Sequence, residues 1–151
     1  MSCRIMTVER SLTAVVRTKV PFAKIPDAQR SARRAVDAAL PSLQAGSVGR
    51  PCTRFRTPAD SMLDMEIGTV VARPFQAKGE VVPSDLPAGR AAHFLLKGPF
   101  DGIPGAWQTL FDWCKAEKLE LAGINWEIYM PWEGVDPAKL ETDLYALLAQ
   151  K

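Results

Sequence analysis

Glu127 stands in the segment INWEIYM, Ile124 to Met130, among side chains that are otherwise apolar or aromatic apart from Asn125. Strand alternation sets Asn125, Glu127 and Tyr129 on one face and Trp126, Ile128 and Met130 on the other. A carboxylate buried in such a strand needs compensation. As an anion flanked by aromatic faces, Glu127 suits a lipophilic cation, each cation–π contact adding roughly 0.5–2 kcal/mol. As a general acid or base it suits attack on a strained or activated bond, an effect worth roughly 100- to 10,000-fold in rate. Tyr129 shares its face and can orient the carboxylate or a substrate through its hydroxyl. The ordinary alternative is a solvent-facing glutamate paired with an arginine.

Further candidates are aromatic or acidic. Tyr145, in TDLYALL, is read either as a wall of the same site or as a half-buried strand tyrosine. Trp132 follows the Glu127 strand in a loop and is placed to close over a ligand. Trp107 reads as a core residue beneath its helix, with the ligand wall as its other place. Glu66, in MEIG, shares a face with Asp64, so that paired acid/base work competes with a solvated face salt-bridged to Arg54 or Arg56. His93 reads as structural. Arg30, Arg33 and Arg34, at helical spacing, read as a solvated outer face.

The totals exclude several classes. Nineteen Lys and Arg against seventeen Asp and Glu leave a formal charge of +2, too small to argue for a nucleic-acid or membrane grip. Cys3, Cys52 and Cys114 are far apart and lack a Cys-x-x-Cys partner, so no disulfide framework, metal site or cofactor is expected. No charged segment leads into an apolar run, and no stretch of eighteen apolar residues occurs. The chain reads as soluble and cytoplasmic.

The elements that must position these residues are written twice. VPFAKIP, Val20 to Pro26, returns as GPFDGIP, Gly98 to Pro104, with Pro21 and Pro99 78 positions apart (99 − 21). SLTAVVRTK and RAAHFLLK precede the two copies as strands. Helices follow, Asp27 to Leu40 and Gly105 to Lys118, each opened near a proline. Pro41 is expected to end or kink the first. Trp107, Leu110, Phe111 and Cys114 make one apolar face of the second. Strand pairs close each half: Gly49 to Thr57 with Met62 to Val71, then Gly123 to Pro131 with Leu140 to Leu148. Thr53 falls where Glu127 stands in the second half, the offset there being 74 (127 − 53). The expectation is one α+β domain over 1–151, built from strand-helix-strand-strand modules at about 7–73 and 89–149 with a linker at 74–88. Pairing the modules about a pseudo-two-fold axis sets helices on one face of an antiparallel sheet and leaves the other face for a cleft.

LPAG, KGPF, AWQTLFDW, LAGINWEIYMPWEGVDP and ETDLY together resemble the GyrI-like small-molecule-binding domain, also called the bacterial transcription-activator effector-binding domain. WEIY, Trp126 to Tyr129, looks like the family's Tyr-Glu-x-Tyr strand. The resemblance implies binding of bulky aromatic or cationic compounds between the modules, with the glutamate matching Glu127 facing the cleft and a glutamate common at Glu66. Many members are fused to a DNA-binding region, for which this length leaves no room, so a stand-alone member is implied. A transcription regulator or a topoisomerase is the protein partner to expect. Stand-alone relatives include a gyrase inhibitor and hydrolases that open cyclopropane rings. Fold transfers across such a family better than activity.

Overall fold

The computed structural model describes residues 3–58 and 60–150, so the outermost residues of the domain expected over 1–151 lie outside the described residues. Eight strands and two helices follow in the order β1 (Cys3–Val8), β2 (Ser11–Pro21), α1 (Ile25–Leu43), β3 (Val48–Arg56), β4 (Met62–Val71), β5 (Val81–Leu86), β6 (Gly89–Lys97), α2 (Ile103–Ala116), β7 (Leu121–Tyr129) and β8 (Glu141–Leu148). Each helix is entered through a short 3-10 turn, Phe22–Lys24 and Phe100–Gly102, and carries a proline at its start. There the missing N–H costs no hydrogen bond. Pro41 lies within α1 in its last turn, and the helix continues to Leu43.

All strands join one antiparallel sheet in the order β1-β6-β8-β7-β3-β4-β2-β5. The fold class is α+β, as the sequence implies. Two strands were not foreseen. The stretch 74–88, read as a linker, contains β5, which pairs with β2, and the N-terminal segment forms β1 beside β6. Pro83 within VVPSDL argues against a strand, yet β5 lies at the edge of the sheet, where a missing N–H is tolerated.

The connection between β5 and β6 sets the shape of the sheet. These strands stand six places apart, which would separate them by roughly 29 Å on a flat sheet at about 4.8 Å per strand. Only Pro87 and Ala88 link Leu86 to Gly89, a reach of about 11 Å. The sheet must therefore curl. Its inner side is filled by Cys52, Leu86, Ala91 and Trp126, with Val8, Val70, Ile128, Tyr145 and Leu147 packed on them. On the other side α1 packs with Ala14, Val16, Met65 and Ile67, and α2 with Ala92, Phe94, Leu144 and Ala146.

This arrangement corrects the expected position of the cleft. The curled side is occupied by this apolar filling, and the large cavity does not lie there. Each helix covers the outer strands of its own half and leaves the central pair, β3 and β7, uncovered between them. The opening lies on the helix side.

Gly68 marks a close approach of strands: a Cβ there would lie 1.8 Å from the backbone oxygen of Ala14 on β2. Gly68→Ala is expected to destabilise by about 3 kcal/mol or more, because backbone rather than a flexible side chain must yield. Chemical denaturation measures this, and a loss below about 1 kcal/mol would contradict so tight a contact.

Candidate functional site

The uncovered β3–β7 pair floors a cavity of about 970 Å³ whose side walls are the two helices. Ile25, Gln29 and Arg33 present one stripe of α1, and Ile103, Trp107 and Phe111 present the same stripe of α2, 78 positions later. Four-residue spacing keeps each set on one helix face. Thr53 and Phe55 from β3 and Glu127 and Tyr129 from β7 form the floor. Phe22, Phe100 and Trp132 stand at the mouth. Phe100 packs edge-on against Tyr129 and Trp132, at centroid distances of 5.7 and 5.8 Å. Phe22, at the matching place in the first half, is 51% exposed.

Thr53 and Glu127 are direct cross-strand partners. Each is held by the helix of its own half. Gln29 Nε2 donates to Thr53 Oγ1 at 3.1 Å, and Trp107 Nε1 donates to Glu127 Oε2 at 2.6 Å. Tyr129 bridges them: its hydroxyl bonds Glu127 Oε1 and lies 2.9 Å from Thr53 Oγ1. A phenol carries one hydrogen, so with Glu127 ionised Tyr129 donates to the carboxylate and Thr53 donates to Tyr129. Thr53 Oγ1 in turn accepts from Gln29 and from Arg33 Nη2 at 3.2 Å. When Glu127 is protonated, its hydrogen goes to Tyr129, and the Tyr129 hydrogen can turn to Thr53 only as Gln29 or Arg33 releases that oxygen, which has two lone pairs. Protonation at Glu127 is thus coupled to the bonding of the α1 side chains.

The family profile of the GyrI-like small molecule binding domain matches residues 1–149. The chain belongs to this family. No curated protein matches the sequence. Among solved structures, this GyrI-like domain is similar to the EcmrR C-terminal domain, with a TM-score of 0.80 and 16% identity over 99% of this chain and 98% of that one. It is similar to SAV2435 bound to tetraphenylphosphonium, with a TM-score of 0.70 and 10% identity over 99% and 94% of the two chains. A hydrolase from Listeria innocua shares the fold with a TM-score of 0.57 and 13% identity over 97% and 91%. At such identities the likeness is one of fold.

Four sequence candidates, Glu127, Tyr129, Trp107 and Trp132, come together in the cavity of this GyrI-like domain. Trp107 is only 8% exposed, yet its ring edge reaches the site, and it also stacks on Phe111 and meets Phe55 edge-on. Two candidates lie elsewhere. Tyr145 is on the curled side, stacked on Trp126 at 5.3 Å and beside His93, because Leu144 rather than Tyr145 stands opposite Glu127 in the β7–β8 register. Glu66 is on that side too, bonded by Arg17 Nε at 3.0 Å and by Ser84, because Met65 and Ile67 take the helix side of β4. Arg54, proposed as its partner, pairs instead with Asp85 at 2.8 Å. Paired-carboxylate chemistry with Asp64 is thereby excluded from the cavity.

Arg33 is a further correction. Arg30 and Arg34 are exposed, but Arg33 is half-buried and turns inward, its Cζ 5.2 Å from the Tyr129 ring centroid and 5.4 Å from that of Trp132. The signal was present: the 78-residue offset that carries Phe22 to Phe100 carries Gln29 to Trp107 and Arg33 to Phe111. His93 is buried on the curled side, donating from Nε2 to Asp143 at 2.6 Å and accepting from Arg4 on Nδ1 at 3.4 Å. Asp143 also accepts from Arg50, which bonds the Tyr129 carbonyl at 2.9 Å and so braces the floor from behind. Burial pushes the Asp143 carboxyl up, but the bonds from His93 and Arg50 and the charge of Arg50 outweigh it and hold it below the usual range. Among the described residues no cluster of His, Cys, Asp or Glu is arranged to hold a metal, and no helix is long and apolar enough to cross a membrane.

Burial raises the Glu127 pKa, opposed by the bonds from Tyr129 and Trp107 and by the charge of Arg33. Burial and then the neighbouring Glu127 charge push Tyr129 well above its ordinary value, so it remains a donor. A carboxyl raised in the folded state contributes stability below its unfolded pKa and loses that contribution as pH rises through the folded one. The melting temperature of the wild type relative to Glu127→Gln is therefore expected to fall as pH rises above the ordinary carboxylate range. A difference that is flat or rises with pH would show that hydrogen bonding, not burial, governs Glu127.

Proposed function

We propose that this chain binds a bulky, hydrophobic, aromatic small molecule in the cavity between its two helices, as a ligand-binding or sequestering protein. The observation that carries this is the cavity itself: about 970 Å³, walled largely by aromatic and aliphatic side chains, with a few convergent polar groups at the floor. That combination of size, apolar lining and sparse polar groups is what drug-sized ligands require. Family membership supports the reading, as does the likeness to SAV2435, a protein bound to tetraphenylphosphonium. On this reading residues 7–73 and 89–149 are two copies of one module, and the ligand sits across the axis that relates them.

A second reading is hydrolysis of a strained or activated ligand, such as one bearing a cyclopropane ring. It is favoured by the hydrogen-bonded chain of Thr53, Tyr129 and Glu127, which can take up or deliver a proton beside the cavity. Glu127 would accept the proton of an attacking water as the water oxygen bonds to the ring carbon and the strained ring bond at that carbon breaks, its electron pair passing to the activated part of the ligand, which takes up a proton in turn; the product would be heavier by one water. The likeness to the Listeria innocua hydrolase is consistent with this reading.

Trp107 and Trp132 line the cavity, so occupancy is expected to quench tryptophan fluorescence saturably. A panel of bulky aromatic compounds, some bearing cyclopropane rings, is titrated and each is recovered for mass spectrometry. Saturation with unchanged mass is the expected result, and absence of saturation for every compound would overturn the binding reading. A hydrated product formed over many turnovers would favour the hydrolase. Glu127→Gln should then lower turnover by roughly 100-fold or more, and unchanged turnover would remove Glu127 from the mechanism.

A further inference from the structure

Arg33 feels the charge of Glu127 across the cavity floor but makes no direct ion pair among the described residues. Of its five guanidinium N–H groups, one reaches the Gly68 carbonyl and one reaches Thr53 Oγ1, both at 3.2 Å. The others find no acceptor among the described residues. These remaining N–H groups are not sealed from solvent, so they stand open at the edge of an apolar cavity and are available to a ligand.

We propose that the cavity selects aromatic ligands bearing a carboxylate or comparable acidic oxygen group, and that Arg33 is the residue that binds that group. The proposal rests on the reading of the cavity as a ligand site and deepens it by naming the ligand's charge. The resemblance to the family implies a cationic ligand, but here the protein supplies a cation of its own. Arg33 already occupies the Tyr129 and Trp132 ring faces that a ligand cation would use. Glu127, the anion for such a cation, is bonded on each oxygen, by Tyr129 and by Trp107, and its burial favours the neutral form. The free guanidinium edge, by contrast, matches a carboxylate in geometry and charge.

The asymmetry of the helices also orients the ligand. Where α1 has Gln29 and Arg33, α2 has Trp107 and Phe111. The acidic end therefore lies toward α1 and the aromatic body toward Trp107, Phe111 and Phe55.

The test uses three ligands with one pyrene body and one butyl chain, ending in a carboxylate, a hydroxyl or a trimethylammonium group. Binding is read by energy transfer from tryptophan to pyrene at neutral pH. The carboxylate is expected to bind most tightly, about tenfold tighter than the alcohol, as for a charge-assisted bond, and the ammonium most weakly. R33M should bring the three affinities together, and R33K should keep part of the preference. If the alcohol binds but the ammonium equals or exceeds the carboxylate, acid selectivity is overturned while the ligand site stands. If none of the three saturates, both fall. A carboxylate preference that persists in folded R33M, checked by circular dichroism, removes Arg33 from the role. Should R33M fail to fold, the order of the three ligands on the wild type decides the selectivity.

Discussion

The pairing of β3 with β7 is the contact on which the site depends, since it joins the two halves at the centre of the sheet and sets Thr53 opposite Glu127. Side chains alternate between faces, so a slip of one residue would send Glu127 into the apolar filling of the curled side and bring Trp126 into the cavity. Trp126 and Cys52, 2% and 1% exposed on the curled side, oppose that slip. The cost of exposing them is what keeps the carboxylate facing the helices. Register at this one pair thus fixes which chemistry faces the cavity.

The strand order around the pair is symmetric, but the chemistry placed on it is not. Strand order reads the same from both edges toward β7 and β3 once each strand is exchanged for its counterpart, and the first strand of each half pairs with a strand of the other. Equivalent helix positions hold the two floor residues, by an amide in one half and an indole in the other. One wall is therefore polar and cationic, the other aromatic. Walls that differ in this way give the two ends of the cavity different chemistry.

Much of this was legible in the sequence. Glu127 announced itself as a charge in an apolar strand, and alternation alone grouped it with Tyr129. The helices declared themselves by prolines and by apolar spacing. Tyr145 and Glu66 went astray for one shared reason: each strand's alternation was visible, but which of its faces met the face of Glu127 depends on register between strands remote in sequence. The side of the cleft was missed because the curl follows from β5 joining β6, and β5 was hidden by Pro83 within a proline-rich stretch. Arg33 was hidden by the general rule that charges on a helix face solvent, although the offset between the halves pointed inward.

Arg33, Tyr129 and Glu127 show why this centre is not arranged for stability alone. Burial works against the ionised carboxylate, and three groups, Tyr129, Trp107 and Arg33, counter it. An apolar pair at positions 33 and 127 would remove that conflict and fill part of the cavity, a replacement that is often neutral or stabilising in protein interiors. The chain instead carries a carboxylate with a raised pKa, a tyrosine locked as a donor and an incompletely bonded guanidinium around open space. Clusters of perturbed groups beside a cavity are where binding and catalytic sites concentrate, which is the ground for the proposed function. The open space and the N–H donors at its edge are two aspects of one arrangement, and the ligand proposed for the cavity would meet both at once.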